Sequence, residues 1–338
     1  MQQVVPEEIR AFVSAPSDGA DHRGLRAVDR AELGDGDLLV RVAWSGVNYK
    51  DALAASHDGR VARINPLIPG VDLSGTVVES SSAEFPAGTA IIAHGYDLGV
   101  AHHGGYAELA RIPAAWALPL PAGLSLREAM VLGTAGFTAA MSVDAIEARG
   151  ARPADGPVLV TGATGGVGSC AVAILSGLGY EVHASTGKAD AHDFLRGLGA
   201  AEIVGRDELA AESRRPLETE QWAGAVDCVG GPTLATVLRG LRYGASVAAC
   251  GLTGGAALNT TVLPFILRGV SLLGIDSVQV EMPRRREIWA RAAQRVNSAT
   301  LAALADEVAL DDVEDAIGRL LSGQGRGRTV VRVGGDPT

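Results

Sequence analysis

The sequence predicts an α/β protein in two parts, a β-rich first part followed by a doubly wound parallel sheet. Three observations predict this. Residues 1–120 carry strand-like runs punctuated by glycine and proline, with little helical periodicity. From about residue 126, apolar strand-like runs alternate with helical segments, the pattern of a parallel sheet covered on both faces. Within that alternation, the run VLVTGATGGVG at 158–168 joins a strand to a glycine-rich turn and a helix.

In the first part, LLVRVAWSGV (38–47) is a β run that alternates in part, and VDLSGTVVES (71–80) and TAIIAHG (89–95) are further strands. The proline-bearing LPLPAGLS (118–125) marks a crossover into a new domain. A helix is expected over roughly 126–149. Strands are expected near 158–161, 181–185, 201–204, 225–229 and 245–250, with helical segments between most of them. GVSLLGIDSV (269–278) adds one more apolar strand. Arg284 to Arg295 and Leu310 to Leu321 read as amphipathic helices, and GRTVVRV (327–333) as a last strand that returns to the first part. The expected domains are 1–125, completed by 280–338, and 126–279.

At 338 residues the chain can bury two cores, and 47% hydrophobic with 20% charged residues suits a globular fold. A net charge of −10 argues against a nucleic-acid partner and gives no reason to invoke an anionic membrane surface. No apolar run is expected to reach the length of a membrane span. MQQVVPEEIR lacks the basic and apolar regions of a signal peptide. Cys170, Cys228 and Cys250 are scattered and odd in number; they read as small buried residues of a reducing compartment, hence a cytoplasmic protein. No pair of them has metal-ligand spacing.

In the glycine run, Val158, Leu159 and Val160 form a strand tip, and Gly162, Gly165 and Gly168 fall at the spacing of a tight turn entering a helix. Without Cβ atoms the backbone can approach a pyrophosphate, and the helix N-terminus offers N–H donors. The apolar helix that follows (Ala171, Val172, Ile174, Leu175, Leu178) completes the context. An NAD-preferring fold places Asp or Glu at the end of the next strand, about 20 residues on. Here EVHAS (181–185) runs into Ser185-Thr186-Gly187-Lys188, two hydroxyls, a glycine and a cation that suit a 2′-phosphate. The cofactor expected is NADPH. The chain has only two lysines, Lys50 and Lys188, and both lie inside such segments.

The segments GVNYKDALA (46–54), GVDLSGTV (70–77), HHGGYAE (102–108), GTAGFTAA (133–140), VTGATGGVGS (160–169), CGLTGG (250–255) and LPFILRGVSLLGIDSV (263–278) resemble those of the zinc-free medium-chain dehydrogenase/reductases, in the branch of acryloyl-CoA reductases and quinone oxidoreductases. The resemblance spans nearly the whole chain. It implies a GroES-like substrate domain and a Rossmann cofactor domain. In zinc-dependent relatives three places hold Cys, His and Cys; here they read Asn48 or its neighbours, Val71 and Thr134, and no cysteine precedes Cys170. Those side chains cannot replace thiolate and imidazole, so no metal is expected.

The implied reaction is NADPH-dependent reduction of the C=C bond of a short 2-enoyl-CoA, acryloyl-CoA to propionyl-CoA, with hydride going to the β-carbon. Two alternatives stand beside it: a quinone or enone reductase on the same scaffold, and a non-catalytic NADPH-binding sensor. The resemblance places Tyr49 beside the nicotinamide, on a loop after a strand, as hydrogen-bond donor and candidate proton donor, with Asn48 orienting substrate or cofactor. Thr164, Gly165, Gly166 and Val167 would hold the pyrophosphate. Ser185, Thr186, Gly187 and Lys188 would hold the 2′-phosphate, with Arg206 as a second candidate. Leu252 would approach the nicotinamide, Ile266 and Ser277 lie in a cofactor-side and dimer-edge segment, and Gly323 sits in a loop returning to the cleft. Asp51 reads equally as a helix cap or a partner of Lys50. His102 and His103, adjacent on the chain, read as loop residues rather than a metal pair. Arg284-Arg285-Arg286 read as a solvated charge run. The strand within 269–278 would lie at the sheet edge, where a homodimer would form.

Overall fold

The computed structural model describes residues 5–17, 19–211 and 215–334. The chain forms two compact units: Met1–Thr134 with Val278–Ala293 and Ala305–Thr338, and Ala135–Ser277 with Gln294–Leu304.

The first unit begins with β1 (Glu8–Ser14) and β2 (Arg23–Asp29), an antiparallel pair. β3 (Leu38–Val47) leads into α1 (Tyr49–Ala54), followed by β4 (Asp72–Ser80), β5 (Ala90–His94), β6 (Leu109–Ile112) and β7 (Ala117–Pro119). β3 lies between two cores. Leu38, Val40 and Val42 pack with Leu73, Phe85 and Ile91 on one side, and Leu39 and Val47 with Phe12, Tyr106 and Ile317 on the other. Burial on both faces explains why its sequence is apolar nearly throughout and alternates only in part.

α2 (Leu126–Ala148) contains a break at Gly133, with φ 50° and ψ −154°. Only glycine fits at the break, since a Cβ on Gly133 would come within 2.5 Å of Asp72 Oδ2. By length and composition α2 could cross a membrane, so the expectation that no apolar run is long enough fails here. The physical reason for its apolarity is packing, because 83% of its most apolar window is buried inside the protein.

The second unit is built from β8 (Val158–Val160), α3 (Gly166–Gly177), β9 (Val182–Thr186), α4 (His192–Gly197), β10 (Glu202–Gly205), α5 (Arg206–Ala210), β11 (Gly224–Asp227), α6 (Gly231–Gly240), β12 (Ser246–Ala249), α7 (Leu263–Arg268) and β13 (Ser271–Gly274). Its six strands run in the order β10-β9-β8-β11-β12-β13 and all pair in parallel. This is the doubly wound order in which ligands bind beyond the carboxyl ends of the strands, where the winding reverses between β8 and β11.

α8 (Met282–Arg295), α9 (Ser298–Leu304), β14 (Ala305–Ala309), α10 (Val313–Leu321) and β15 (Arg328–Arg332) complete the chain. β15 pairs antiparallel with β3 and parallel with β14, so the last strand does return to the first unit. Not everything beyond residue 280 returns with it. Gln294–Leu304 belongs to the second unit, because Arg295 bonds Asp144 and Glu147 at 2.7 and 2.8 Å and α9 packs on α3.

Candidate functional site

The carboxyl edge of the parallel sheet gathers the expected nucleotide residues of the second unit. β8 ends at Val160, and Gly162 turns the chain at φ +59°. A Cβ on Gly168 would lie 2.3 Å from the Gly162 carbonyl oxygen, so only glycine lets α3 start this close to the turn. Gly165 is the extended N-cap of α3 and is exposed; Gly166 and Val167 open the helix, half-buried. Their N–H groups belong to the first turn, which has no intrahelical acceptor for them. A cradle that any Cβ would fill, facing a helix N-terminus, fits a dinucleotide pyrophosphate.

β9 ends beside this turn. Ser185 and Thr186 are buried, Thr164 Oγ1 lies 3.5 Å from Thr186 Oγ1, and Thr186 Oγ1 accepts from the Lys188 N–H at 3.0 Å. Gly205, at the end of β10, pairs in register with Thr186, which puts Arg206 at the same edge. A Cβ on Gly187 would come within 2.8 Å of the Arg206 guanidinium. No carboxylate stands in the Ser185–Lys188 segment, and two cations flank its hydroxyls. That donor set fits a 2′-phosphate better than a ribose diol.

Leu252, 63% exposed, follows β12 at this same edge. Ser277 follows β13, its hydroxyl accepting from Thr138 at 2.8 Å. Ile266 is set apart from the edge, on α7, whose last residue Arg268 accepts from Gly244 in the turn before β12. Gly323 belongs to the first unit and has a local reason to be glycine: with φ +75° it ends α10 in the left-handed conformation.

The first unit holds the other constellation. Tyr49 is the first residue of α1 rather than a loop residue, because Asn48 is extended at the N-cap and its backbone N–H donates to Asp51 Oδ2 at 2.8 Å. Tyr49 is 47% exposed, and its hydroxyl has no hydrogen-bond partner among the described residues. Asn48 is tied on three sides. Its amide donates to Asp51 Oδ2 at 3.1 Å and to Asp72 Oδ2 at 2.8 Å, and its Oδ1 accepts from Arg328 Nη1 at 3.0 Å.

Asp51 is the cap and makes no ion pair with Lys50. It is fully buried and accepts from the Gly70 and Val71 N–H groups at 3.1 and 2.7 Å. Burial, with the neighbouring Asp72 charge adding to it, raises its pKa to about 6 against the pull of those N–H donors.

Asp72 and Arg328, 0% and 2% exposed, form the centre that sequence reasoning missed. Asp72 accepts from the Thr134 N–H at 3.0 Å and from the Thr134 hydroxyl. Arg328 Nη2 lies 3.4 Å from Asp72 Oδ2, and Arg328 also donates to the carbonyls of Val47 and Val131. Thus Asn48, Val71 and Thr134, the places compared with zinc ligands, are linked through Asp51, Asp72 and Arg328. Asp72 alone stands in an otherwise uncharged run, VDLSGTVV (71–78), and the signal there was the question of where such a charge is neutralised. Among the described residues no group of three or more His, Cys, Asp or Glu could hold a metal ion.

The reading of Arg284 to Arg286 as a solvated run fails at Arg285, which is 0% exposed. It donates to the carbonyls of His94 and Val278 at 2.9 and 3.0 Å and lies over the Tyr96 ring. Trp289 Nε1 donates to His94 Nε2 at 2.8 Å, and burial together with the Arg285 charge drives the His94 pKa well down. His102 and His103 are loop residues. His102 Nε2 contacts the Asp35 carbonyl, and His103 Nδ1 accepts from the Ile68 N–H.

Residues 34–122 match the alcohol dehydrogenase GroES-like domain family and residues 166–298 match the zinc-binding dehydrogenase family. The acrylyl-CoA reductase AcuI of Ruegeria pomeroyi is 48% identical over 93% of this chain and 96% of its own length. The putative quinone oxidoreductase YhfP of Bacillus subtilis is 47% identical over 91% of this chain and 94% of its own. The crystal structure of the Salmonella enterica yhdH oxidoreductase with NADP is 48% identical, with a TM-score of 0.94 over 96% of this chain and 99% of that one. That of Bacillus subtilis yhfP with NAD bound gives 44% and 0.93 over the same shares. The chain belongs to the medium-chain dehydrogenase/reductase family, among the relatives of acrylyl-CoA reductase and YhfP.

Proposed function

We propose that this protein is an NADPH-dependent oxidoreductase that reduces the C=C bond of a short 2-enoyl-CoA, acryloyl-CoA to propionyl-CoA. The observation that carries the reading is the end of β9, where Thr186 and Gly187 lie beside Lys188 and Arg206 and no carboxylate stands in the segment Ser185–Lys188. The substrate class comes from the likeness to acrylyl-CoA reductases across nearly the full length of both chains.

When bound, NADPH supplies the hydride that adds to the β-carbon. The chain's part is to hold the cofactor, to stabilise negative charge on the thioester oxygen and to deliver a proton to the α-carbon. Thr164, Gly165, Gly166 and Val167 hold the pyrophosphate through backbone N–H groups, and Ser185, Thr186, Lys188 and Arg206 hold the 2′-phosphate. Leu252 and Ser277, at the same edge, complete the proposed cofactor set; Ile266 on α7 and Gly323 after α10 are included on the resemblance alone. Tyr49, whose hydroxyl has no partner among the described residues, donates to the developing oxyanion. Asn48 has both amide protons committed to carboxylates, so it acts chiefly by fixing the start of the helix that carries Tyr49.

The experiment is loss of NADPH absorbance with acryloyl-CoA beside a simple quinone at matched concentration. Faster turnover of the thioester supports the reading; faster turnover of the quinone assigns the chain to the quinone reductases. Lys188→Ala should weaken NADPH about 10- to 100-fold, the value of one charge-assisted hydrogen bond, and leave NADH nearly unchanged. Tyr49→Phe should lower kcat on the order of 100-fold while NADPH affinity holds. Normal turnover by Tyr49→Phe would remove the hydroxyl from the mechanism.

The same reading takes the protein as a cytoplasmic homodimer. β13 ends its sheet and carries Leu272, 38% exposed, while Val262, Ile266 and Leu267, at and within the preceding α7, are 64%, 68% and 57% exposed. An open apolar edge suits a second copy of the chain. A monomer mass in dilute sedimentation would refute this.

A further inference from the structure

Two of the cysteines meet at the carboxyl edge of the parallel sheet. Cys228 follows β11 and Cys250 follows β12, one step beyond the registered pair Asp227 and Ala249. Their sulfurs are 3.8 Å apart, both are unbonded and both are half-buried. Neighbouring strands lie about 4.7–4.9 Å apart, inside the Cα separation of ~4.4–6.8 Å that a disulfide spans. The sulfurs need to approach by only about 1.8 Å to reach bonding distance.

The pair is tied to the loops that shape this edge. The Cys228 N–H donates to Thr161 Oγ1 at 3.1 Å, and a Cβ on Gly162 would lie 3.4 Å from Cys228 Cβ. Cys228 therefore packs against the first glycine of the phosphate turn. Beyond Cys250, Gly251 passes so close to Cys228 that a Cβ there would lie 2.1 Å from the Cys228 carbonyl oxygen. The Gly254 N–H donates to the Val229 carbonyl at 2.7 Å. A movement of either sulfur is passed directly to the glycine turn and to the 251–255 loop that carries Leu252.

We propose that Cys228 and Cys250 are a redox-active pair that a hydroperoxide closes to a disulfide, and that closure weakens nucleotide binding at this edge. One thiol attacks the peroxide O–O bond, becoming a sulfenic acid and releasing the alcohol of the hydroperoxide, or water from hydrogen peroxide. The second thiol's sulfur attacks that sulfur, the S–S bond forms and one water leaves. Two electrons pass from the two sulfurs to one hydroperoxide, and a dithiol reductant reverses the step. The effect on nucleotide rests on the NADPH reading above; the bond itself does not.

The test treats the reduced full-length protein with hydrogen peroxide, then maps disulfides by peptide mass and titrates NADPH by fluorescence. The expected result is a Cys228–Cys250 cross-linked peptide, reversed by dithiothreitol, with NADPH affinity at least tenfold weaker in the oxidised form. Cys250→Ser should lose both the cross-link and the oxidant effect on affinity, whereas Cys170→Ser should keep both. If Cys228 and Cys250 both stay alkylatable after oxidation, or if the cross-link forms with NADPH affinity unchanged, the proposal is overturned. Failure of the untreated, reduced protein to bind NADPH would instead refute the cofactor reading and the coupling built on it, while the peptide map still decides the bond.

Discussion

The two units hold their candidate sites by opposite means. In the first, buried charges are held by other buried charges: Asp72 by Arg328, Asn48 between Asp51, Asp72 and Arg328. In the second, the site is shaped by missing side chains, since Gly162, Gly168 and Gly187 stand where a Cβ would strike a neighbour or strain the turn. A charged network is specified by partners far apart in the chain. A glycine cradle is specified over a short stretch of chain, here from Gly162 to Gly187. The first therefore tolerates no loss of a partner, and the second no gain of an atom.

Arg328→Leu tests the first half of that contrast and should have the largest effect. Removing one partner of a buried ion pair costs about 3–5 kcal/mol, because the other charge stays buried. Denaturant unfolding should show this, and Asp72→Leu added to Arg328→Leu should recover part of it. A loss under ~1 kcal/mol would mean the network is no more than a surface-like pair.

Gly168→Ala tests the second half. One methyl aimed at the Gly162 carbonyl should cost about 1–3 kcal/mol of overpacking and weaken NADPH binding. Gly197→Ala is the control, since its Cβ would meet nothing within 4 Å. If both alanines behave alike in thermal unfolding, the cradle is not defined by close approach.

The last effect is read as a slope. Asp51 has a folded pKa of about 6, above the ordinary 3.8, so the unfolded chain releases this proton first as pH rises. The Asp51 contribution therefore favours the fold below about pH 4 and is lost between roughly pH 4 and 6, with a slope of at most about 1.4 kcal/mol per pH unit. Asp51→Asn should flatten that slope, measured as wild type minus variant across the window. A difference that instead grows with pH would mean that the N–H donors of Gly70, Val71 and Asn48 outweigh burial.

The same contrast explains what was legible in the sequence. The order of strands and helices after residue 126, the glycine turn and the Ser185–Lys188 edge were readable because their signals are local. The return of the last strand to the first part was readable from its apolar run, but its pairing with β3 was not. The Arg328–Asp72 pair was not, because its members are separated by 256 positions and each looks like an ordinary charge in its own segment. Arg285 misled for a related reason: its two arginine neighbours make it look solvated, while its acceptors are carbonyls and a histidine at 94, 278 and 280. α9 and β14 were also unread, since SATLAAL and ADEVA are short and their places are set by packing on α3 and pairing with β15.

The distance between Asp72 and Arg328 also bears on the order of synthesis. Asp72 leaves the ribosome 256 residues before its cation, and the edge of β3 that β15 will occupy is open for longer, from Val47 until Thr329 emerges. The parallel sheet needs nothing from β15: its strands lie between Val158 and Gly274, and its unit is complete at Leu304. The nucleotide unit can therefore finish folding on the emerging chain while the first unit waits, with an unneutralised carboxylate and an unpaired strand edge available to chaperones.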